Sequence, residues 1–121
     1  MQSKKTIIWM GSSRNDLIAM PESVRKDFGG ALHGVQEGRQ IEQAKPLKGK
    51  IKGATQLSED HDGDTYRAVY TVELEGAVYV LHCFQKKSKS GRATPQPDID
   101  LIERRLKDAR AIHAQRHRKQ P

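Results

Sequence analysis

The chain has 121 residues, enough for one domain with a modest core and too few for two of ordinary size. Lys plus Arg number 22 against 15 Asp plus Glu, and the net charge of +7 favours an anionic partner, nucleic acid or a membrane surface, over an unspecialised basic exterior. A single cysteine, Cys83, excludes an internal disulfide, and no apolar run approaches the ~18 residues of a membrane span.

No charged segment followed by an apolar stretch opens the chain, so the expected location is the cytoplasm, with no membrane partner. Thr6 to Met10 reads as a short apolar strand. Ser13-Arg14-Asn15-Asp16 then fits a capping box, with Ser13 accepting from the first helical amides and Asp16 reaching back. Pro21 ends that brief helix and opens a second, in which Val24, Phe28, Ala31, Leu32 and Val35 fall on one face. Gly38 is the expected stop, and Gly29-Gly30 marks a kink or close packing on a sheet.

Residues 39–53 are polar and lysine-rich, a loop in expectation, with Lys45, Lys48, Lys50 and Lys52 gathered before the next strand, Ala54 to Glu59. Asp62-Gly63 is a hairpin signal. The acidic run around it lacks the spacing of a calcium loop. Thr65–Leu74 and Ala77–Gln85 are the longest strands, joined by Glu75-Gly76, and Cys83 sits in the second as a small buried hydrophobe. After a basic loop, Pro95 and Pro97 lead into a helix with Ile99, Ile102, Leu106 and Ala109 on one face. Residues 110–121 read as a frayed basic tail. The order β-α-α-β-β-β-α gives an α+β class, helices beside a small antiparallel-rich sheet, in a single domain over 1–121.

Candidate chemistry concentrates on the hairpin of the two long strands. Counting outward from Glu75-Gly76 pairs Leu74 with Ala77, Tyr70 with Leu81 and Arg67 with Phe84. Arg67, Val69, His82, Phe84 and Lys86 then share one face, and Tyr66, Ala68, Tyr70, Leu81 and Cys83 the other. Arg67 lies diagonal to Lys86, two like charges that a phosphate would reconcile, while Phe84 offers a ring to an unstacked base. The alternative is an Arg67 paired with a local carboxylate such as Glu59. Lys48, Lys50, Lys52, Lys89 and Arg92 would add backbone contacts. His82 is either a proton donor near the phosphate or a buried ring bonded internally. His33, His61, His113 and His117 show no metal-ligand spacing, so no metal and no cofactor is expected.

Leu47-Lys48-Gly49, the run Thr65 to Tyr70 and Leu81-His82-Cys83-Phe84-Gln85-Lys86-Lys87-Ser88 followed by Thr94-Pro95 resemble the phage-derived Gp49-like proteins, of the HigB-type branch of the RelE toxin superfamily. Pro21 to Arg25 and Asp98 to Ile102 resemble that family's helices, and the likeness runs from about Ile7 to Ala109. The resemblance implies a RelE-like fold and the toxin of a type II toxin–antitoxin pair, an endoribonuclease that cuts mRNA on the ribosome and halts translation. It implies a helix-turn-helix antitoxin as partner, with DNA met only through that antitoxin. It assigns Arg67, Lys86 and Lys87 to catalysis; strand alternation favours Lys86 for the chemistry and Lys87 for the backbone. The alternative is a non-catalytic RNA-, ribosome- or partner-binding protein. The aromatic acid/base of some RelE members has no counterpart after Arg92.

Overall fold

The computed structural model describes residues 4–86 and 94–118, with side chains to Arg116. The elements are β1 (Thr6–Trp9), α1 (Ser13–Ile18), α2 (Glu22–Gln36), β2 (Lys45–Pro46), a 3-10 turn (Gly49–Ile51), β3 (Thr55–His61), β4 (Asp64–Thr71), β5 (Ala77–Lys86) and α3 (Gln96–Arg118). The expected order holds, with β2 and the 3-10 turn added inside the stretch read as loop. The five strands form one sheet in the order β1-β5-β4-β3-β2. All neighbours are antiparallel except β1, which runs parallel to β5.

Helices cover both faces rather than lying to one side. On one face α1 and α2 bury Leu17, Val24, Phe28, Leu32 and Val35 against Leu57, Ala68, Tyr70, Val78, Val80 and Cys83. On the other, Ile102, Leu106 and Ala109 of α3 pack with Ile51 onto Ala54, Val69, Tyr79 and Leu81. Each helix presents the apolar stripe its sequence spells, and the sheet is the layer they share.

Local chemistry explains the boundaries. Asp62 and Gly63 both adopt positive φ, 51° and 82°, as a two-residue hairpin with the twist of β3 and β4 requires. The turn at Glu75-Gly76 closes as expected, Ala77 N–H donating to Leu74 C=O at 3.2 Å. The β4–β5 ladder nevertheless begins only at Thr71 opposite Tyr79. Thr71 donates its hydroxyl to Gly53 C=O at 2.7 Å and Glu73 is bonded to Arg110 at 2.6 Å, so 72–74 turns toward α3 instead of pairing.

Three local expectations are corrected. The N-cap position falls one residue earlier, at Ser12, whose hydroxyl makes no bond to the helical amides and donates to Asp16 Oδ2 at 2.7 Å; Ser13 is fully buried and donates to Val80 C=O at 3.2 Å. Gly29 and Gly30 are exposed with open space around them, and the close approach on α2 falls at Gly34, where a Cβ would stand 2.9 Å from Ile41 Cδ1. Of the tail expected to fray, residues 110–118 are helical, and 119–121 lie outside the described residues. Helix α3 runs to Arg118, its later turns anchored by Tyr79 Oη to His113 Nδ1 at 3.0 Å.

Candidate functional site

The register between β4 and β5 fixes which side chains meet. From the open end inward, Thr65 pairs with Lys86, Tyr66 with Gln85, Arg67 with Phe84, Ala68 with Cys83 and Val69 with His82. The ladder then slips, and Tyr70 pairs with Val80 rather than with Leu81. Leu81 is the extra residue of a β-bulge. Its consequence is a correction to the faces: Leu81 packs on the α3 side, with Tyr79 and Phe84, while Cys83 keeps to the α1–α2 side with Ala68 and Tyr70. Without that slip, strand alternation would put Tyr79 and Phe84 on opposite faces.

The bulge leaves Leu81 C=O off the ladder, and Arg105 of α3 bonds it at 2.9 Å. The guanidinium reaches it across Gly11, whose φ is 53° and where a Cβ would stand 2.5 Å from Arg105 Nη2. A glycine in the β1–α1 turn thus lets an arginine from the far helix secure the strand that carries the site.

Three cross-strand rows make the site face. Lys86, Thr65 and Asp60 form the outermost; Phe84, Arg67 and Ser58 the next; His82, Val69 and Gln56 the third. Lys45, opposite Gln56 on β2, extends the third row to the sheet edge. Arg67 is 6% exposed, and its Nη1 donates to Thr94 Oγ1 at 2.8 Å and Gln56 Oε1 at 3.4 Å. Burial lowers the Arg67 guanidinium from its ordinary value, and the Asp60 carboxylate opposes that. Asp60 in turn accepts from Thr65 Oγ1 at 2.8 Å. Lys86 is 8% exposed, and its ammonium is held below the usual lysine value by burial first and by Arg67 second.

Glu59, the carboxylate weighed as a partner for Arg67, points the other way. It lies opposite Tyr66 and bonds Asp27 of α2. Burial, that hydrogen bond and the Asp27 charge raise its carboxyl to about 7, against a smaller opposing effect of His61.

His82 stacks on Phe84, ring centroids 4.5 Å apart and planes 13° apart, so one face of the phenyl ring is occupied. Its Nε2 lies 2.7 Å from Asp98 Oδ1, and its Nδ1 is buried with no hydrogen-bond partner among the described residues. Together Arg67–Thr94 and His82–Asp98 tie the start of α3 to the sheet.

The structure brings Arg67, Phe84, His82 and Lys86 together. Lys48, Lys50 and Lys52 are elsewhere: Lys50 lies in the 3-10 turn and Lys48 and Lys52 flank it, where Arg110 Nη2 bonds Lys52 C=O at 3.2 Å. Arg110 is twelve residues, about 18 Å of helix, beyond Asp98. Lys87, Lys89 and Arg92 lie outside the described residues. Sequence reasoning missed Gln56, Ser58, Asp60, Thr65, Thr94 and Asp98. Extending the two-residue alternation across the Asp62-Gly63 hairpin into β3 would have found four of them; Thr94 and Asp98 carry no signal before the α3 entry is placed.

At the edge of β5 a cleft of about 600 Å³ opens between the α1–α2 corner and the α3 entry, lined among others by Asp16, Tyr66, Phe84, Gln85, Pro95 and Asp98. Cys83 also borders it, and burial pushes its thiol up to about 12, which leaves it a protonated, unreactive wall. No group of carboxylates, histidines and cysteine among the described residues has the arrangement to hold a metal ion. None of their helices is long and apolar enough to cross a membrane.

Residues 15–107 match the family described as "Phage derived protein Gp49-like (DUF891)". The search of curated proteins returned no match. Among solved structures, a mutant of the E. coli toxin RelE in the free state aligns with a TM-score of 0.55 and 18% identity, over 69% of this chain and 85% of that one. The isolated E. coli RelE toxin aligns with a TM-score of 0.52 and 19% identity, over 83% and 97%. The toxin–antitoxin complex RelBE2 from Mycobacterium tuberculosis aligns with a TM-score of 0.51 and 19% identity, over 73% and 98%. At such identity the likeness speaks for the fold, and the sequence match speaks for the family. This chain belongs to the phage-derived Gp49-like family and is folded as the RelE toxins are.

Proposed function

We propose that the protein is the toxin of a type II toxin–antitoxin pair, an endoribonuclease that cuts mRNA on the ribosome. The observation that carries this reading is the pair of cations, Arg67 and Lys86, on one face around Phe84 in a RelE-like sheet. An ammonium held below its ordinary value by burial and by the neighbouring Arg67 charge is relieved by a bound dianionic transition state. RNA supplies its own nucleophile, so the scheme needs no metal or cofactor. Lys86 Nζ, in its neutral form, takes the 2′-hydroxyl proton. The 2′-oxygen attacks the adjacent phosphorus, the bond to the 5′-oxygen breaks, and that oxygen takes a proton from water. A 2′,3′-cyclic phosphate and a 5′-hydroxyl result.

Arg67 stabilises charge on the phosphoryl oxygens, exchanging Thr94 for phosphate as its partner. Lys86 is favoured as base because burial, and then Arg67, lower its pKa from the ordinary lysine value. His82, bonded to Asp98 and stacked on Phe84, is a positioning residue rather than the proton donor. Lys45 suits backbone binding where the site face meets the sheet edge, and Lys48, Lys50 and Lys52 a more distant contact. Lys87, Lys89 and Arg92 are assigned to RNA on the family resemblance. The cellular partners are then mRNA on the ribosome and an antitoxin, of helix-turn-helix type, and the place of action is the cytoplasm.

A non-cleaving RNA-binding module is the second reading, favoured by the cover that Thr94 and Gln56 give to Arg67. Induced expression followed by mapping of mRNA 5′ ends separates them. The toxin reading expects arrest of translation with new codon-linked ends, and loss of both in Arg67→Ala and Lys86→Ala variants that keep the native circular dichroism. Arrest without new ends supports the binding module. Full toxicity in both variants removes the site from the mechanism.

A further inference from the structure

Strand β5 is paired on both sides only as far as Val80, because β1 ends at Trp9. Among the described residues no strand lies beside Leu81–Lys86 on that side, and Arg105 takes Leu81 C=O there. The cleft sits against this open edge and reaches round to both faces of the sheet. Tyr66, Cys83 and Gln85 border it from the α1–α2 side, and His82 and Phe84 from the α3 side. Phe84 therefore belongs both to the cleft and to the row that holds Arg67.

The charges sort what can enter. Arg67 and Lys86 lie on the site face, whereas the cleft is bordered by two carboxylates, Asp16 and Asp98. Asp16 accepts from Ser12 at one oxygen and Asp98 binds His82 at one oxygen. An ionised carboxylate has about four lone-pair sites, so each keeps acceptor capacity. A phosphate is repelled from such a rim, but a group rich in N–H donors is attracted. His82, its side chain 9% exposed, borders the cleft with its Nε2 on Asp98, while its Nδ1 is buried with no hydrogen-bond partner among the described residues. Two rings, Tyr66 and Phe84, supply flat apolar surface beside it.

Resting on the RNA-cleaving reading, we propose that this cleft takes the unstacked base next to the phosphate held by Arg67, and that it selects bases with an exocyclic amino group. Adenine, cytosine and guanine present that donor to a carboxylate; uracil has no amino group, and its one N–H lies between two carbonyls that the carboxylates repel. The phosphate anchors on the cationic face, the chain turns over Phe84, and the base drops into the edge cleft with its donor edge toward Asp16. Asp16 is the specificity residue, and it takes no part in the bond-breaking step.

The test uses the full chain and non-cleavable 2′-O-methyl tetranucleotides that differ in one base, read by fluorescence anisotropy. The wild type should bind the A, C and G versions at least about fivefold more tightly than U, the lower end of what one good base contact supplies. Asp16→Asn, whose amide donates as well as accepts, should erase the difference while leaving the salt dependence of binding in place. Should Asp16→Asn lose its fold by circular dichroism, Tyr66→Leu takes over as the probe, with all four affinities expected to fall together. Equal affinities for the four bases in the wild type, with binding still abolished by Arg67→Ala, overturn the base pocket and leave the RNA reading standing; the edge would then suit a strand of a protein partner. Tyr66→Leu without effect on any base overturns the pocket as well. Failure of every oligonucleotide to bind overturns the base pocket, while the RNA-cleaving reading, which places the mRNA on the ribosome, is decided by the mapping of mRNA 5′ ends.

Discussion

Glu59 and Asp27 place two carboxyls in hydrogen-bond contact between β3 and α2, which only a shared proton makes favourable. The folded protein holds that proton to about pH 7, because burial and Asp27 disfavour the Glu59 carboxylate, while an unfolded chain releases it near 4.5. The folded state thus binds more protons between these values. The contribution to stability is complete below the ordinary carboxyl pKa and disappears as pH rises through 7. Glu59→Gln keeps the hydrogen bond without the titration, so its melting temperature should exceed the wild type's at pH 8 and approach it at pH 4.5. A difference that stays constant across this range would show that the pair shares no proton. Nothing in the sequence connects Asp27 with Glu59, since one lies on a helix and the other on a strand. The same holds in part for Arg67: its side of the strand, its neighbour Phe84 and the side of Gln56 follow from alternation carried through the Asp62-Gly63 hairpin, but its bond to Thr94 depends on the α3 entry that only the fold brings near.

At the scale of elements, the bulge at Leu81 decides more than its single residue implies. It lets Val78 and Val80 face α2 while Tyr79, Leu81 and Phe84 face α3, with the site residues kept on the α3 side. Arg105 stabilises it through Leu81 C=O. Arg105→Met, which retains much of the side chain's bulk, should cost about 1.5–3 kcal/mol, the range for a hydrogen bond from a charged group. The midpoint of urea unfolding reads this directly, and an unchanged midpoint would mean that water serves the carbonyl equally well. Sequence periodicity conveyed the strands, the helices and the Asp62-Gly63 turn because each is set by local preferences. It could not convey the slip, since Val-Tyr-Val-Leu is apolar at every position and carries no alternation from which a change of face could be seen. Helix α3 outran the expected tail for a related reason: its later turns are polar, and what holds them is Tyr79 from β5.

Over the whole molecule, one sheet divides two cores, with Phe28 at the centre of one and Ile102 in the other, both fully buried. Phe28→Ala should cost about 3–5 kcal/mol and Ile102→Ala about 2–5 kcal/mol. The side chains share no partner, so the double variant should equal the sum within about 0.5 kcal/mol. Denaturant curves followed by far-ultraviolet dichroism and by the fluorescence of Trp9, which packs on the Phe28 core, should coincide. Separate transitions would show that the two layers melt independently. The positive charge noted at the outset is likewise divided, with Arg67 and Lys86 on the cationic face and the lysines of the 3-10 turn some way along α3.

The parallel ladder of β1 with β5 joins the first strand to the last, each of Thr6 to Trp9 meeting a residue of Ala77 to Val80. During synthesis β1 emerges before β5 and waits, because its neighbour in the sheet among the described residues is β5. The strand that supplies Phe84 and Lys86 is the same one that completes the hydrogen bonding of the N-terminal strand. The candidate site and structural closure therefore arrive together, and a nascent or truncated chain that stops short of β5 has neither.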